Sequence, residues 1–294
     1  MTGLSSTAKA ILLVLCAAVF FVSLDVTAKY LSNHLPVPQV VWVRYASHVF
    51  WMLVFIWPRL GSKLFRTTRL RFQIGRGMLL LITTLLSIAG LHYLPIAEMT
   101  AMGFAAPLLV VVLSALVLRE KIGPRRWAAV IVGFLGVLLV VRPGGAVASW
   151  AALFPLAMAF SYALYQIVAR MLATTENAAM TLFYTGLTGM VGASVFLPFV
   201  WVTPTDPWII GLMMLTGFLG GTGHLLLTLA FGLAPPSLLQ PFMFSQLILS
   251  TGAGWLFFGT LPDAISLGGM VVIGAAGLYV WYRETYGRRV APAA

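Results

Sequence analysis

Apolar runs of about twenty residues recur along the chain, separated by short connectors that hold most of its arginine, lysine and proline. A hydrocarbon core about 30 Å thick takes ~20 residues of helix to cross. On that ruler the spanning segments are Ala8 to Leu31, Pro38 to Trp57, Phe72 to Tyr93, Ile96 to Leu118 and Arg126 to Val141. They continue with Val147 to Leu172, Asn177 to Val200, Pro207 to Leu233, Pro236 to Phe258 and Ala264 to Tyr282. The pattern predicts an all-α integral membrane protein with ten transmembrane helices. The fifth segment is short, and the Pro235-Pro236 junction leaves the count open by one helix.

The pattern also repeats on a longer scale. At a shift of 141 residues, Phe21, Asp25, Ala28, Lys29 and Leu31 fall on Tyr162, Gln166, Ala169, Arg170 and Leu172. The same shift carries Pro95 onto Pro236, Gly133 onto Gly274 and Gly136 onto Gly277. One gapless offset shared by so many weak matches predicts two five-helix units, residues 1–146 and residues 147–294. Each unit crosses the membrane an odd number of times, so the second is inverted relative to the first. Inverted repeats place a substrate site near the midplane, between the halves, and permit access to alternate by rocking.

Composition agrees with the bilayer as solvent: 61% of the 294 residues are hydrophobic and 9% charged, against about 25% charged in soluble domains. The net charge of +11 does not mark a nucleic-acid partner, because the basic residues gather in a few connectors. Arg59, Lys63, Arg66, Arg69, Arg71 and Arg76, then Arg119, Lys121, Arg125 and Arg126, then Arg283, Arg288 and Arg289 all fall on one side if the N-terminus is cytoplasmic. The positive-inside rule then puts both termini in the cytoplasm of a cell with this chain in its inner (plasma) membrane. Trp42, Trp57, Trp127, Trp150, Trp201, Trp208, Trp255 and Trp281 lie near helix ends, at the headgroup level that indole prefers. The Lys9 segment resembles a secretory signal, but its apolar run is too long and lacks a clean small-residue cleavage site, so it reads as the first helix. Cys16 is the only cysteine, which excludes an intrachain disulfide and a multi-thiolate metal site.

Particular residues then narrow the family. Arg44-Tyr45 sits inside the second helix and Pro107 inside the fourth, and the turn Leu118-Arg119-Glu120 precedes a helix carrying Gly133-x-x-Gly136. With the two five-helix units, these features resemble the EamA-type family of the drug/metabolite transporter superfamily. The resemblance implies ten helices around a central cavity and secondary transport, often export of amino acids or related metabolites. Leu261 stands where the repeat would place a partner of Glu120, and Thr185 where it would place a partner of Arg44.

Intramembrane ionisable groups usually mark a function or a paired site. Asp25, Lys29, Arg44 and Glu98 cluster toward one end. Asp25 and Lys29, four apart on one helix face, are expected to pair. Together with Glu98 they form a gate or a fixed ion-pair network, and Arg44 is the leading contact for a substrate carboxylate. Tyr162, Tyr165 and Gln166, His224, and Gln240, Phe244 and Gln246 complete the candidate cavity lining. Each also has a structural reading as an interhelix hydrogen bond or packing contact. Pro107, Pro155 and Pro241 are candidate hinges, since proline removes a backbone hydrogen bond.

No H-E-x-x-H pair, P-loop or G-x-S-x-G elbow occurs, so no cofactor, metal or ATP hydrolysis is expected. The reading is a secondary carrier of small molecules by alternating access, an amino-acid exporter including aromatic and apolar amino acids, with a monomer favoured. The alternatives are an exporter of drugs or other small metabolites, a nucleotide-sugar carrier, a channel and a membrane-embedded enzyme. Few deep cationic groups are expected, which counts against nucleotide sugars.

Overall fold

The fold was obtained as a computed structural model, which describes residues 5–117, 123–141, 150–172, 176–234 and 236–286. Helices dominate it. In chain order these are α1 (Ser6–Ser32), α2 (Val37–Phe55), α3 (Trp57–Leu60), α4 (Leu70–Tyr93), α5 (Ile96–Gly103), α6 (Ala105–Val117) and α7 (Pro124–Val141). After them come α8 (Leu153–Leu172), α9 (Ala178–Ser194), α10 (Leu197–Val200), α11 (Pro207–Leu233), α12 (Pro236–Met243), α13 (Ser245–Phe258) and α14 (Ala264–Tyr286). Short 3-10 turns cover Gly61–Phe65 and Trp150–Ala152.

Local chemistry sets several ends. Ser5 Oγ accepts from the Ala8 amide at 3.2 Å, and Asp206 Oδ1 accepts from the Trp208 amide at 2.8 Å ahead of Pro207. Both side chains satisfy helix amides that lack an intrahelical partner. Pro207 suits the first helical position because it has no amide to leave unpaired.

Among the described residues, eight helices are long and apolar enough to cross a membrane, and α2 with its bent continuation Trp57–Phe65 makes a ninth. The seventh expected segment is divided into the 17-residue α9 and the short α10. The ten segments of the hydropathy pattern each contain helix, and besides the second and seventh, two more are interrupted. The fourth breaks at Phe104 between α5 and α6, and the ninth at Phe244 between α12 and α13. Pro107 accounts for the first break: it has no amide for the Gly103 carbonyl, and its ring crowds that oxygen.

Packing is matched between the halves. α1 lies against α11, and its counterpart α8 lies against α4. α2 meets its counterpart α9, and α7 meets its counterpart α14. Close approach of α11 to α2 requires glycine, because a Cβ at Gly217 would run into Ser47 Oγ and the His48 backbone nitrogen. Large apolar side chains such as Phe199, Ile248 and Leu256 stay outward-facing and exposed, as a surface solvated by lipid requires.

Candidate functional site

A cavity of about 300 Å³ opens among α1, α4, α5, α6, α8 and α11, with Met243 and Gln246 closing it from α12 and α13. Its volume is at the lower end of the small-molecule range. Phe21, Leu24, Ile88, Met99, Phe104 and Met158 make most of it apolar, and Thr83, Thr84, Ser87 and Thr100 add neutral polar groups. Asp25, Arg44, Tyr162, Gln166, His224 and Gln246 all reach it. Six of the expected lining or ion-pair residues therefore share one space.

Arg44 is held by neutral partners. Its guanidinium donates to Thr84 Oγ1 at 2.6 Å, and the Tyr45 hydroxyl meets that same oxygen at 2.8 Å. The guanidinium carbon lies 5.4 Å from the Tyr45 ring centroid. Asp25 makes no hydrogen bond or ion pair among the described residues, yet the Arg44 charge acts on it through space. One cavity thus contains a carboxylate and a guanidinium that are not directly paired.

The expected Asp25–Lys29 pair does not form. Lys29 Nζ donates instead to the carbonyl oxygens of Leu91 and Leu94, at 2.5 and 2.8 Å, and lies 5.5 Å from the Phe258 ring centroid. Those carbonyls end α4, where the unpaired helix oxygens and the dipole draw a cation more directly than a carboxylate one turn away. Glu98, in the first turn of α5, is buried with Oε2 unpartnered, and Lys29 and Asp263 are its electrostatic neighbours. Neither Lys29 nor Glu98 lines the cavity.

Tyr165 also departs from expectation. Its ring stacks on Tyr162 at 5.5 Å, but its hydroxyl accepts from Arg76 rather than facing the main cavity. Arg76 was assigned to a connector from its place in the basic run; it lies inside α4 and is 6% exposed. It donates to Thr185 Oγ1 at 2.7 Å and sits 4.5 Å from the Tyr165 ring centroid. Gln73, one turn earlier and fully buried, donates to Thr181 Oγ1 at 3.1 Å. Sequence reasoning missed this group and undercounted the deep cations. The available signal was Arg76 following Phe72 by four residues, already inside the third apolar run.

His224 packs against the Phe21 ring, with centroids 5.0 Å apart, and lines the cavity. Phe244 lies behind the wall, stacked on the cavity-lining Phe104. The Gln240 side chain lies outside the described residues, as does the Leu118-Arg119-Glu120 turn. Pro107 lines the cavity at the α5–α6 break, and Pro241 sits inside α12, three residues before the other break. Pro155 is not inside a continuous helix as expected. It occupies the first turn of α8, after the Trp150–Ala152 turn, where a missing amide costs nothing. Among the described residues no cluster of three histidine, cysteine, aspartate or glutamate side chains has metal-binding geometry.

Residues 8–142 match the model of the EamA-like transporter family. Full-length relatives extend the likeness beyond the first half. The S-adenosylmethionine uptake transporter of Rickettsia prowazekii is 28% identical, with 88% of each chain covered. The first half of the chain, residues 8–142, carries the EamA-like transporter pattern. A riboflavin transporter of Rhizobium johnstonii is 29% identical over 91% of this chain and 89% of that one. The pseudopaline exporter CntI of Pseudomonas aeruginosa is 24% identical over 90% and 92%. A protein of known crystal structure superposes with a TM-score of 0.65 at 18% identity, covering 97% of this chain and 99% of that chain, which shows the shared fold. With relatives that are transporters along nearly its whole length, this chain is a multi-pass membrane transporter and not an enzyme, and its bacterial relatives put it in the plasma membrane.

Proposed function

We propose that this transporter carries small amphiphilic metabolites bearing an α-amino-acid group, among them aromatic and apolar amino acids, by alternating access. The observation that supports this reading is the pair Asp25 and Arg44 in one largely apolar cavity, without a direct bond between them. A zwitterionic head group satisfies both: its carboxylate accepts from the guanidinium, and its ammonium donates to Asp25. The apolar and aromatic wall then accepts the side chain. S-adenosylmethionine, named for one group of relatives, has such a head group; riboflavin, named for another, has none.

Alternating access is supported by the exchange-matched packing and by the two broken helices at equivalent places in the repeat. The basic connectors favour cytoplasmic termini. The family resemblance favours export, and the named relatives include both an uptake transporter and an exporter.

Counterflow in proteoliposomes tests the substrate class. Vesicles loaded with phenylalanine, S-adenosylmethionine or riboflavin are compared for saturable exchange of labelled substrate. Exchange of the first two, with Arg44→Gln abolishing the preference for phenylalanine over its decarboxylated amine, is the expected result. Exchange of riboflavin alone would replace this reading with a flavin carrier, and non-saturable conductance would replace it with a channel.

A further inference from the structure

Behind the main cavity lies a second, smaller space of about 20 Å³. That exceeds the ~10–15 Å³ that one water-sized occupant needs. Arg44, Leu80 and His224 line both spaces. The remaining polar wall of the small pocket is Tyr45, His48, Tyr165 and Thr185.

Three observations give this pocket a charge preference. First, His48 is 8% exposed, lines the pocket, and leaves Nε2 without a hydrogen-bond partner. Second, Arg76 stands directly behind the wall, bonded to Tyr165 and Thr185, with its Nε unpartnered as well. Third, Arg44 and Arg76 both act electrostatically on Tyr165 and His224, and no carboxylate hydrogen-bonds or ion-pairs with either arginine among the described residues. Arg76 is buried and Arg44 half-buried, both held by hydroxyls and a carbonyl. Among the described residues only Asp25, in the main cavity and unbonded to Arg44, offsets this charge, and two cations against one carboxylate are costly to bury. The Leu182 carbonyl also lies within reach of the His48 ring, so its single N–H is shared between that carbonyl and the pocket, and an arginine can donate in a second direction.

We propose that this pocket is a binding site for one small monovalent anionic group, a carboxylate or a halide, received by Arg44 and His48 with Arg76 supplying charge from behind Tyr165 and Thr185. If the group is the substrate's own carboxylate, the site deepens the amino-acid reading above and rests on it. If it is a free anion, the site stands by itself.

Gly220 offers a clean test. Gly220 lines the small pocket, and a Cβ there would lie 3.6 Å from Arg44 Nε and 3.5 Å from Leu24 of the main cavity, so nothing must shift. The added methyl crowds the Arg44 guanidinium where the two spaces meet, without removing a charge. The full-length protein in lipid nanodiscs is titrated with sodium chloride, bromide or acetate against gluconate at constant ionic strength, reading the thermal midpoint. The expected result is a saturable rise with the small anions and none with gluconate. Gly220→Ala and Arg76→Gln should each raise the half-saturating concentration at least tenfold. No small-anion effect beyond gluconate overturns the site, and so does an unchanged titration in Arg76→Gln.

Phenylalanine counterflow then separates the two sources. Competition between chloride and phenylalanine identifies the substrate carboxylate as the occupant, and stimulation by chloride identifies a resident anion. The binding measurement needs no transport, so failure of the amino-acid reading leaves it standing. Anion insensitivity in a protein that still exchanges phenylalanine removes the pocket alone.

Discussion

The rings of Phe104 and Phe244 stack with centroids 4.8 Å apart and 22° between their planes, so the break in one split helix touches the break in the other. Each residue sits where an α-helix stops and restarts, and the two positions fall within one residue of each other on the 141-residue repeat. The contact therefore joins the two halves at their least continuous points. An aromatic pair of this kind contributes about 0.5–1.5 kcal/mol beyond its buried area. A double-mutant cycle of Phe104→Ala and Phe244→Ala, read from unfolding in detergent, should return a coupling of that size. Additivity within ~0.3 kcal/mol would show that the rings are neighbours without being partners.

Thr84 holds Arg44 toward the cavity, and its oxygen also meets the Tyr45 hydroxyl. Thr84→Val keeps the shape and removes the oxygen. A hydrogen bond to a charged group is worth about 1.5–3 kcal/mol, and ~1.4 kcal/mol is tenfold in affinity. The half-saturating substrate concentration in counterflow should rise about tenfold or more, and Thr84→Ser should recover most of it. An unchanged value in Thr84→Val would mean that Arg44 is positioned by packing alone.

These relationships were legible in the sequence to different depths. The apolar segment Pro207 to Leu233 matches α11 to the residue, because hydropathy sets its length and a proline suits its first position. Pro107 announced a weak point in the fourth segment for the same local reason. Arg76 was hidden, because hydropathy and charge counting read it as the last member of a basic connector. Its burial is produced by α9, which brings Thr181 and Thr185 alongside from more than a hundred residues away. Lys29 was misread likewise: the spacing to Asp25 is visible in the sequence, whereas the α4 carbonyls that capture it are brought there by the fold.

Lys29 and Asp25 should accordingly separate in their effects. Lys29→Met removes two hydrogen bonds and a cation from the end of α4, a loss of about 1–3 kcal/mol. Its thermal midpoint should fall, while exchange per folded molecule stays within about twofold of the parent. Asp25→Asn should show the reverse, a small stability change and a loss of phenylalanine exchange of about tenfold or more. Equal effects of the two variants in both assays would restore the paired-gate arrangement.

Gly217 and Gly220 face the same α2 surface three residues apart but differ in room. A Cβ at Gly217 meets Ser47 Oγ and the His48 backbone, whereas one at Gly220 meets only ordinary contacts. Gly217→Ala must push α11 from α2, and overpacking of this kind costs about 1–3 kcal/mol. Gly220→Ala should leave the midpoint within about 0.5 kcal/mol of the parent or raise it, through the helix preference for alanine. Thermal unfolding of both variants in the same detergent decides the matter. A Gly217→Ala protein as stable as the parent would show that α2 and α11 can separate freely.

The inverted arrangement makes the sharpest demand, because it concerns chain direction rather than contact. Ser62 and Thr203 are repeat counterparts at the 141-residue shift, one following α2 and α3, the other following α9 and α10. Two units of five crossings each must put such counterparts on opposite faces of the bilayer. The positive-inside rule assigns the face by charge: Ser62 lies among Arg59, Lys63 and Arg66, whereas residues 201–206 carry no lysine or arginine. With Cys16 changed to alanine, single cysteines at the two positions can be challenged by a membrane-impermeant maleimide. Thr203→Cys should react in intact cells, and Ser62→Cys only after permeabilisation. Reaction of both from the same side would make the halves parallel, and rocking of one inverted half against the other would no longer describe how the cavity changes face.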